Sequence, residues 1–411
     1  MNRIARTEEF VPDSRSHRFL RRMLLARMEG LRHGRLTIRD ALGGTTFGEF
    51  VEGAPDVRID VNDLAFYKAV AANGSVGAGE AFMEGLWTCD DLVGLIRLLV
   101  RNRDRLDGME TGLARVGGIA MKAWHALREN TRVGSRRNIA AHYDLGNDFF
   151  RLFLSSDLMY SSALWESEDD TLEVASTRKL NRICQWLDLR PGDSVLEIGT
   201  GWGGFAVHAA RYFGCHVTTT TISREQFALA SERVAEAGLE DRVTLLLEDY
   251  RDLRGTYDKV VSIEMIEAIG AKYQETYFAK IRSVLRPGGR ALIQAITIED
   301  DRYAQALRSV DFIKRHIFPG SFIPSVQGML AAKTRATDLA LVRFEDFGQS
   351  YARTLHAWRA RFMASLVEVR GQGFDQRFIR MWEFYLAYCE GGFIERSIGV
   401  AHLLFEKPRL S

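Results

Sequence analysis

The chain has 411 residues, 46% of them hydrophobic and 27% charged, the composition of a folded globular protein rather than a disordered or fibrous one. Its 55 Lys and Arg against 54 Asp and Glu leave a net charge of +1, which excludes a uniformly basic chain and gives no reason to expect a nucleic-acid partner. Four scattered cysteines (Cys89, Cys184, Cys215 and Cys389) form no CxxC pair and no Cys/His cluster, so reduced thiols, no bound metal and a cytoplasmic location are expected.

Along the chain the charge is uneven. Residues 15–39 hold eight arginines against Glu29 alone, and residues 97–137 hold ten basic and four acidic residues, while residues 49–91 are acidic. In the first basic segment Phe19, Leu20, Met23, Leu24, Met28 and Leu31 recur at helical spacing. Such a helix suits an anionic membrane surface, and it equally suits an arginine face turned to water. Short strands follow at 36–38 and 57–59, then a helix at 64–72, a glycine-rich segment at 74–85 and a helix at 92–99. Together they form a small α+β module, and a basic helical connector over 106–137 leads out of it.

From residue 138 strands and helices alternate. Strands are expected at 194–198, 216–221, 243–247, 257–263 and 290–296, with helices between them at 224–237 and 273–285 and an Arg286-Pro-Gly-Gly289 break before the last strand. This alternation predicts an α/β fold built on a parallel doubly wound sheet, whose ligands sit outside the C-terminal ends of the strands. The turn Glu197-Ile-Gly-Thr-Gly-Trp-Gly-Gly204 joins the first strand to a helix. A dinucleotide site would usually place an acid at the end of the second strand, but that strand ends Thr219-Thr220-Thr221. The acid lies in the turn itself, as Glu197, which resembles motif I of class I S-adenosylmethionine (SAM)-dependent methyltransferases. On that resemblance Glu197, Gly199, Gly201 and Gly203 hold the methionine part of SAM. Asp249, followed by Tyr250, takes the position facing the adenine amine.

A series of ordered segments lies around this core: 138–147 (NIAAHYDLGN), 159–165 (MYSSALW), 221–226 (TISREQ), 262–270 (SIEMIEAIG), 311–325 (DFIKRHIFPGSFIPS) and 350–355 (SYARTL). Together they resemble the cyclopropane-fatty-acyl-phospholipid synthase family over about residues 130–405. The resemblance implies two domains, 1–130 associating with lipid and 131–411 carrying the SAM-dependent catalytic site. It implies transfer of a one-carbon unit from SAM to a double bond of an unsaturated phospholipid acyl chain, giving a cyclopropane or a methyl-branched chain. It further implies a protein peripheral to the inner face of the membrane, admits a homodimer, and leaves room for a partner oxidoreductase that processes a branched product.

Residue by residue, the resemblance places Tyr143, Tyr160, Ser161, Thr221, Ile222 and Gln226 at the border of SAM, with Gln226 reaching the ribose through its amide. The family's bicarbonate ligands fall on Glu267, Tyr351 and the amide of Ile296, on Ser162 where the family has Cys, and on Gln294 where it has His. Ser and Gln still donate hydrogen bonds to an anion, whereas loss of the cationic His weakens the hold on bicarbonate. Glu264 stands three residues before Glu267, and two readings of it stand open: on a helical turn the two carboxylates would share a face, so that one pKa rises and a carboxylate serves in place of some or all of the bicarbonate, or Glu264 is a surface or SAM-side residue. His142 is expected to be structural beside Asp144. The tail aromatics Trp382, Phe384, Tyr385, Tyr388 and Phe393 fit an acyl tunnel or a plain core, and Phe312, Ile317, Phe318, Phe322 and Ile323 fit a loop that opens toward lipid or packs inward. Two other functions compete. The basic N-terminal segment argues against a methyltransferase of a small soluble molecule, and the intact glycine turn argues against a non-catalytic lipid-binding scaffold.

Overall fold

The computed structural model describes residues 14–107 and 145–410. The chain divides into two compact units, Met1–Gly118 and Ile119–Ser411. The basic connector, His142 and Tyr143 lie outside the described residues, and no helix among the described residues is long and apolar enough to cross a membrane.

The first unit comprises α1 (Ser14–Met28), β1 (Arg35–Asp40), β2 (Gly43–Gly48), β3 (Asp56–Val61), α2 (Ala65–Met83), β4 (Trp87–Cys89), α3 (Leu92–Arg101) and α4 (Arg103–Asp107), with strand order β2-β1-β3-β4. Period-two alternation decides which face each strand buries: Leu36 and Ile38 of β1 and Val57, Ile59 and Val61 of β3 point inward. The arginines of the first basic segment do not lie on one helix: Arg15, Arg18, Arg21, Arg22 and Arg27 are on α1, Arg35 and Arg39 on β1, and Arg32 between the two. Arg21 of α1 reaches the fully buried Asp40 carboxylate at 2.6 Å, and Tyr67 of α2 donates to the same group. The opposite face of α1 exposes Arg15, Arg18, Phe19, Arg22, Met23 and Ala26, a single stripe at helical spacing. The glycine-rich segment is helical, contrary to expectation. α2 runs through it with a kink at Gly74, and a Cβ on Gly77 would lie 2.0 Å from the Ala69 carbonyl oxygen, so close packing at the kink selects glycine there.

In the second unit α5 (Asn147–Arg151) and α6 (Leu172–Leu187) precede β5 (Ser194–Ile198), α7 (Gly204–Phe213), β6 (His216–Thr220), α8 (Arg224–Glu236), β7 (Val243–Leu246) and β8 (Tyr257–Ile263). Then follow α9 (Gln274–Val284), β9 (Leu285–Ile298), α10 (Asp300–Arg308), α11 (Val326–Ala336), β10 (Ala340–Asp346), α12 (Gly348–Ala364), α13 (Leu366–Gly371), α14 (Gln376–Ile394) and β11 (Ile398–Glu406). The seven-stranded sheet has the order β10-β11-β9-β8-β5-β6-β7. It is parallel from β7 to β9 and mixed beyond, because β11 pairs antiparallel with both β9 and β10. Arg286-Pro-Gly-Gly289 does not precede β9 but forms its irregular beginning, where the register against β8 shifts.

Successive strand residues feed opposite cores. Val195, Val217, Val261, Leu292 and Leu404 pack toward α6 and α7, while Leu196, Val260, Ile293 and Leu403 pack toward α9 and α11. The segment 313–317, expected as loop, is one π-helical turn. A further aromatic core joins α5, α12 and α14: Trp382 lies 4.9 Å from Phe149 and 5.2 Å from Tyr385 between ring centroids. Trp382 is 1% exposed. Trp382→Ala is expected to lower the unfolding free energy by about 3–5 kcal/mol, read from denaturant midpoints.

Candidate active site

The turn after β5 needs glycine at several positions. Gly199, Gly201 and Gly203 all have positive φ (102°, 53° and 82°), which L side chains rarely adopt. A Cβ on Gly203 would press on Ala230 at 3.3 Å, whereas one on Gly201 would enter open space, the room a ligand's backbone-hugging part requires. Beneath the turn the buried Glu197 carboxylate accepts from Thr219 at 2.6 Å, and Thr219 in turn bonds Thr200 at 2.7 Å. Burial pushes the Glu197 pKa up. Thr221 donates its hydroxyl to Gln226 Oε1 at 2.8 Å, which leaves the Gln226 amide nitrogen as the donating end, and Ile222 lies beside this pair. Asp249 is not an open acceptor. Arg251 grips it through Nε and Nη2, each at 2.7 Å, and the Arg251 guanidinium lies over the rings of Tyr250 and Tyr273.

The second half of the site forms where β8 ends. Glu264 follows β8 in the left-handed region, with φ +48°, and its amide donates to the Gln294 carbonyl at 2.8 Å. The backbone is therefore not helical at Glu264, and the expected shared helical face with Glu267 does not exist; a short 3₁₀ turn begins only at Ile266. Nevertheless both carboxylates are buried. Glu264 Oε1 accepts from the Ser162 amide at 2.9 Å and from Gln294 Nε2 at 2.8 Å, and Oε2 accepts from the Tyr351 hydroxyl at 2.7 Å. Glu267 Oε1 accepts from the Ile296 amide at 2.6 Å, and its Oε2 is buried without a hydrogen-bond partner.

These surroundings separate the two acids. Burial, and then the nearby Glu264 charge, push Glu267 up to about 8, so that it is protonated at neutral pH. Burial also raises Glu264, while the donors from Ser162, Tyr351 and Gln294 and the Lys179 charge act in the opposite direction. Ser162 acts through its backbone: its hydroxyl turns away to the Ala163 carbonyl at 2.9 Å, which corrects the expectation of a hydroxyl donor. The segment carrying Ser162 is laced to α12, with Ala163 N and Trp165 Nε1 both donating to Thr354 at 3.1 and 3.0 Å. α12 in turn presents Tyr351.

Two residues at this site carried no sequence expectation. His402 on β11 stands directly across from Gln294 on β9, and its Nε2 lies 2.9 Å from Gln294 Oε1. Because the Gln294 nitrogen serves Glu264, its oxygen accepts from His402, which fixes the amide orientation. Burial holds His402 neutral, its pKa near 3. Lys179 on α6 is wholly buried, donates to Ser161 at 2.8 Å and is pushed down by burial, its charge acting on Asp157, Glu264 and Glu197. Each had a signal: a lysine among the apolar positions of a helix (Ala175, Leu180, Ile183), and a histidine inside the apolar run of β11.

Tyr160 packs into the aromatic core, its hydroxyl 2.9 Å from that of Tyr385 and its ring 5.3 Å from both Phe150 and Trp358. Phe318 adds its ring to Tyr160 at 6.3 Å and to Tyr385 at 6.0 Å. Tyr351 meets Phe393 at 4.5 Å. The Glu264 carboxylate is thus joined through Tyr351 to a continuous set of aromatic rings.

The strand order, the reversed β11 and the glycine turn after the first parallel strand define a class I SAM-dependent methyltransferase fold. Residues 130–403 match the family described as mycolic acid cyclopropane synthetase. The chain is 38% identical to the tuberculostearic acid methyltransferase UfaA1 of Mycobacterium tuberculosis, over 85% of this chain and 83% of that protein. It is 35% identical to the cyclopropane-fatty-acyl-phospholipid synthase of Escherichia coli K12, over 88% and 90% respectively. The solved structure of mycolic acid cyclopropane synthase CmaA1 complexed with SAH and CTAB superposes with a TM-score of 0.62 at 27% identity, covering 66% of this chain and 98% of that one. The chain belongs to the mycolic acid cyclopropane synthetase family, whose members are SAM-dependent enzymes of fatty acyl chains.

The open space at Gly201 and the buried carboxylate below it suit the methionine end of SAM. Gly201→Val is expected to weaken S-adenosylhomocysteine binding at least tenfold by titration calorimetry. The forced left-handed backbone should also cost about 1–2 kcal/mol of stability.

Proposed function

We propose that the chain joins the methyl of SAM to a double bond of a membrane phospholipid acyl chain and releases a methyl-branched chain that keeps one double bond. The observation that carries this reading is the buried Glu264 carboxylate, whose hydrogen bonds all come from neutral donors and which adjoins the aromatic core.

An alkene is a weak nucleophile, so its alkylation requires a strong electrophile and an environment without competing water. Bound SAM supplies that electrophile, a sulfonium methyl. In this reading Glu197 and the glycines 199, 201 and 203 hold its methionine part, the Gln226 amide nitrogen meets the ribose, and Thr221, Ile222, Tyr250, Tyr160 and Ser161 border it. Asp249, locked by Arg251, offers its edge to the adenine side as a positioned pair rather than a lone acceptor. The rings of Tyr160, Phe150, Trp358, Phe318 and Tyr385 exclude water and present π faces to positive charge on the substrate. A branched product follows when the proton leaves a chain carbon next to the cation; saturating the remaining double bond needs two electrons, which falls to a partner oxidoreductase.

The exposed stripe of α1 supports contact with an anionic membrane, since Arg15, Arg18 and Arg22 alternate with Phe19 and Met23, which are 60% and 41% exposed. The full-length protein is expected to bind phosphatidylglycerol-containing vesicles at low salt and to release them as salt rises. Arg18→Glu combined with Arg22→Glu should reduce binding about tenfold or more, at about 1 kcal/mol per basic residue near the surface. Binding indifferent to salt and to these changes would leave the stripe a solvated face.

Expression in a bacterial host lacking its own synthase tests the reaction. Acyl chains heavier by one CH₂ are expected, with branched-methyl and olefinic proton signals and without upfield ring-methylene signals. Ring signals would reverse the product assignment, and unchanged chains in a host supplied with monounsaturated lipids would remove the reading altogether.

A further inference from the structure

Five groups correspond to the ligands of the bicarbonate implied by resemblance to the synthases, and each is already hydrogen-bonded within the protein, with only Glu267 Oε2 left without a partner among the described residues. The Ser162 amide, Gln294 Nε2 and the Tyr351 hydroxyl all converge on the Glu264 carboxylate, at 2.9, 2.8 and 2.7 Å. The remaining two satisfy each other, the Ile296 amide donating to Glu267 Oε1 at 2.6 Å. The cradle is filled by a carboxylate, which is planar, anionic and bears two acceptor oxygens, as bicarbonate does. Its position is enforced from the backbone: Glu264 takes a left-handed turn pinned by its amide on the Gln294 carbonyl of β9, and its side chain meets Gln294 Nε2 of the same strand. His402 sets the Gln294 amide so that its NH₂ and not its oxygen faces the carboxylate. A bicarbonate ion therefore does not fit.

We propose that Glu264 is the resident general base of this enzyme and that turnover proceeds without bicarbonate. The inference rests on the alkylation reading above. The alkene electron pair forms the new carbon–carbon bond as the methyl–sulfur bond breaks and its pair returns to sulfur, leaving a cation on the neighbouring chain carbon. A C–H bond beside that cation then breaks. Its electrons form the new bond of the product, and its proton goes to the Glu264 carboxylate, which becomes neutral and later releases the proton to solvent. Glu267, already protonated, does not compete for it.

The test has one arm that needs no turnover. In carbon-dioxide-depleted buffer, ¹³C-bicarbonate added to the wild-type protein should show no bound NMR signal, while Glu264→Ala, with the cradle opened, should bind it. Bound bicarbonate in the wild type would overturn the proposal. The second arm uses SAM and vesicles of monounsaturated phospholipid. Wild-type turnover should be unchanged by adding or removing bicarbonate. Glu264→Ala should lose about a hundredfold or more and recover at least tenfold with formate or bicarbonate. Glu264→Gln, which keeps the volume and guards against a merely unfolded variant, should be equally impaired and not rescued. Both variants should still bind S-adenosylhomocysteine. Full activity in Glu264→Gln, or wild-type activity that requires bicarbonate, would overturn the role of Glu264 while leaving the substrate reading intact. A wild type that leaves the chains unaltered yet excludes bicarbonate would overturn only the substrate reading.

Discussion

A charge buried away from water must be met by the protein, and the second half of this molecule is organised around one such charge. An unpaired carboxylate in the interior costs several kcal/mol unless its lone pairs are occupied. Among the described residues no cation lies within hydrogen-bond reach of Glu264; three neutral donors do that work, each delivered by a different element. The loop before α6 gives the Ser162 amide, β9 gives Gln294 and α12 gives Tyr351. Those elements are in turn tied together by Thr354 under the loop and by His402 behind the strand. An ion pair would also have satisfied the charge, but it would have quenched the field that a carbocation needs. Neutral donors hold the carboxylate in place and leave it negative.

The neighbouring Glu267 shows the other resolution of the same constraint. With one amide donor and one oxygen without a partner, it lowers its cost by taking a proton, and the charge next door favours the same outcome. Two carboxyl groups of equal intrinsic acidity are thus set apart by their donors, three for Glu264 and one for Glu267, and their difference follows from environment rather than from residue type.

The βαβ core was legible because its determinants are local: apolar strands, amphipathic helices and glycines where φ must be positive all fall within a few residues of each other. The site was only partly legible. Motif resemblance picked out Glu267, Tyr351, Ser162 and Gln294, while Glu264 stood out only by its spacing from Glu267, and that spacing of three suggested a helical face that the left-handed turn at Glu264 abolishes. The Ser162 contribution moved from side chain to amide, which no residue type can announce. The pairing of Asp249 with Arg251, only two residues away, was not anticipated either. His402 was invisible for a different reason. Its meaning depends on the β9–β11 register, a pairing across more than a hundred residues, and a polar residue in an apolar strand says only that a partner exists somewhere.

Lys179 connects the two halves of the site. It is wholly buried, bonded to Ser161, and its charge acts on Asp157, Glu264 and Glu197 together. One buried cation therefore acts on carboxyl groups of both halves. In the proposed reaction, transfer of the methyl moves the positive charge of the donor to the lipid chain, and proton abstraction passes it to the Glu264 carboxylate, which ends neutral. At no stage does the buried region gain a net charge that it did not already hold, so the low-dielectric interior, which would resist creating charge, does not resist moving it. The same interior that makes Glu264 costly to bury thus favours the reaction that neutralises it.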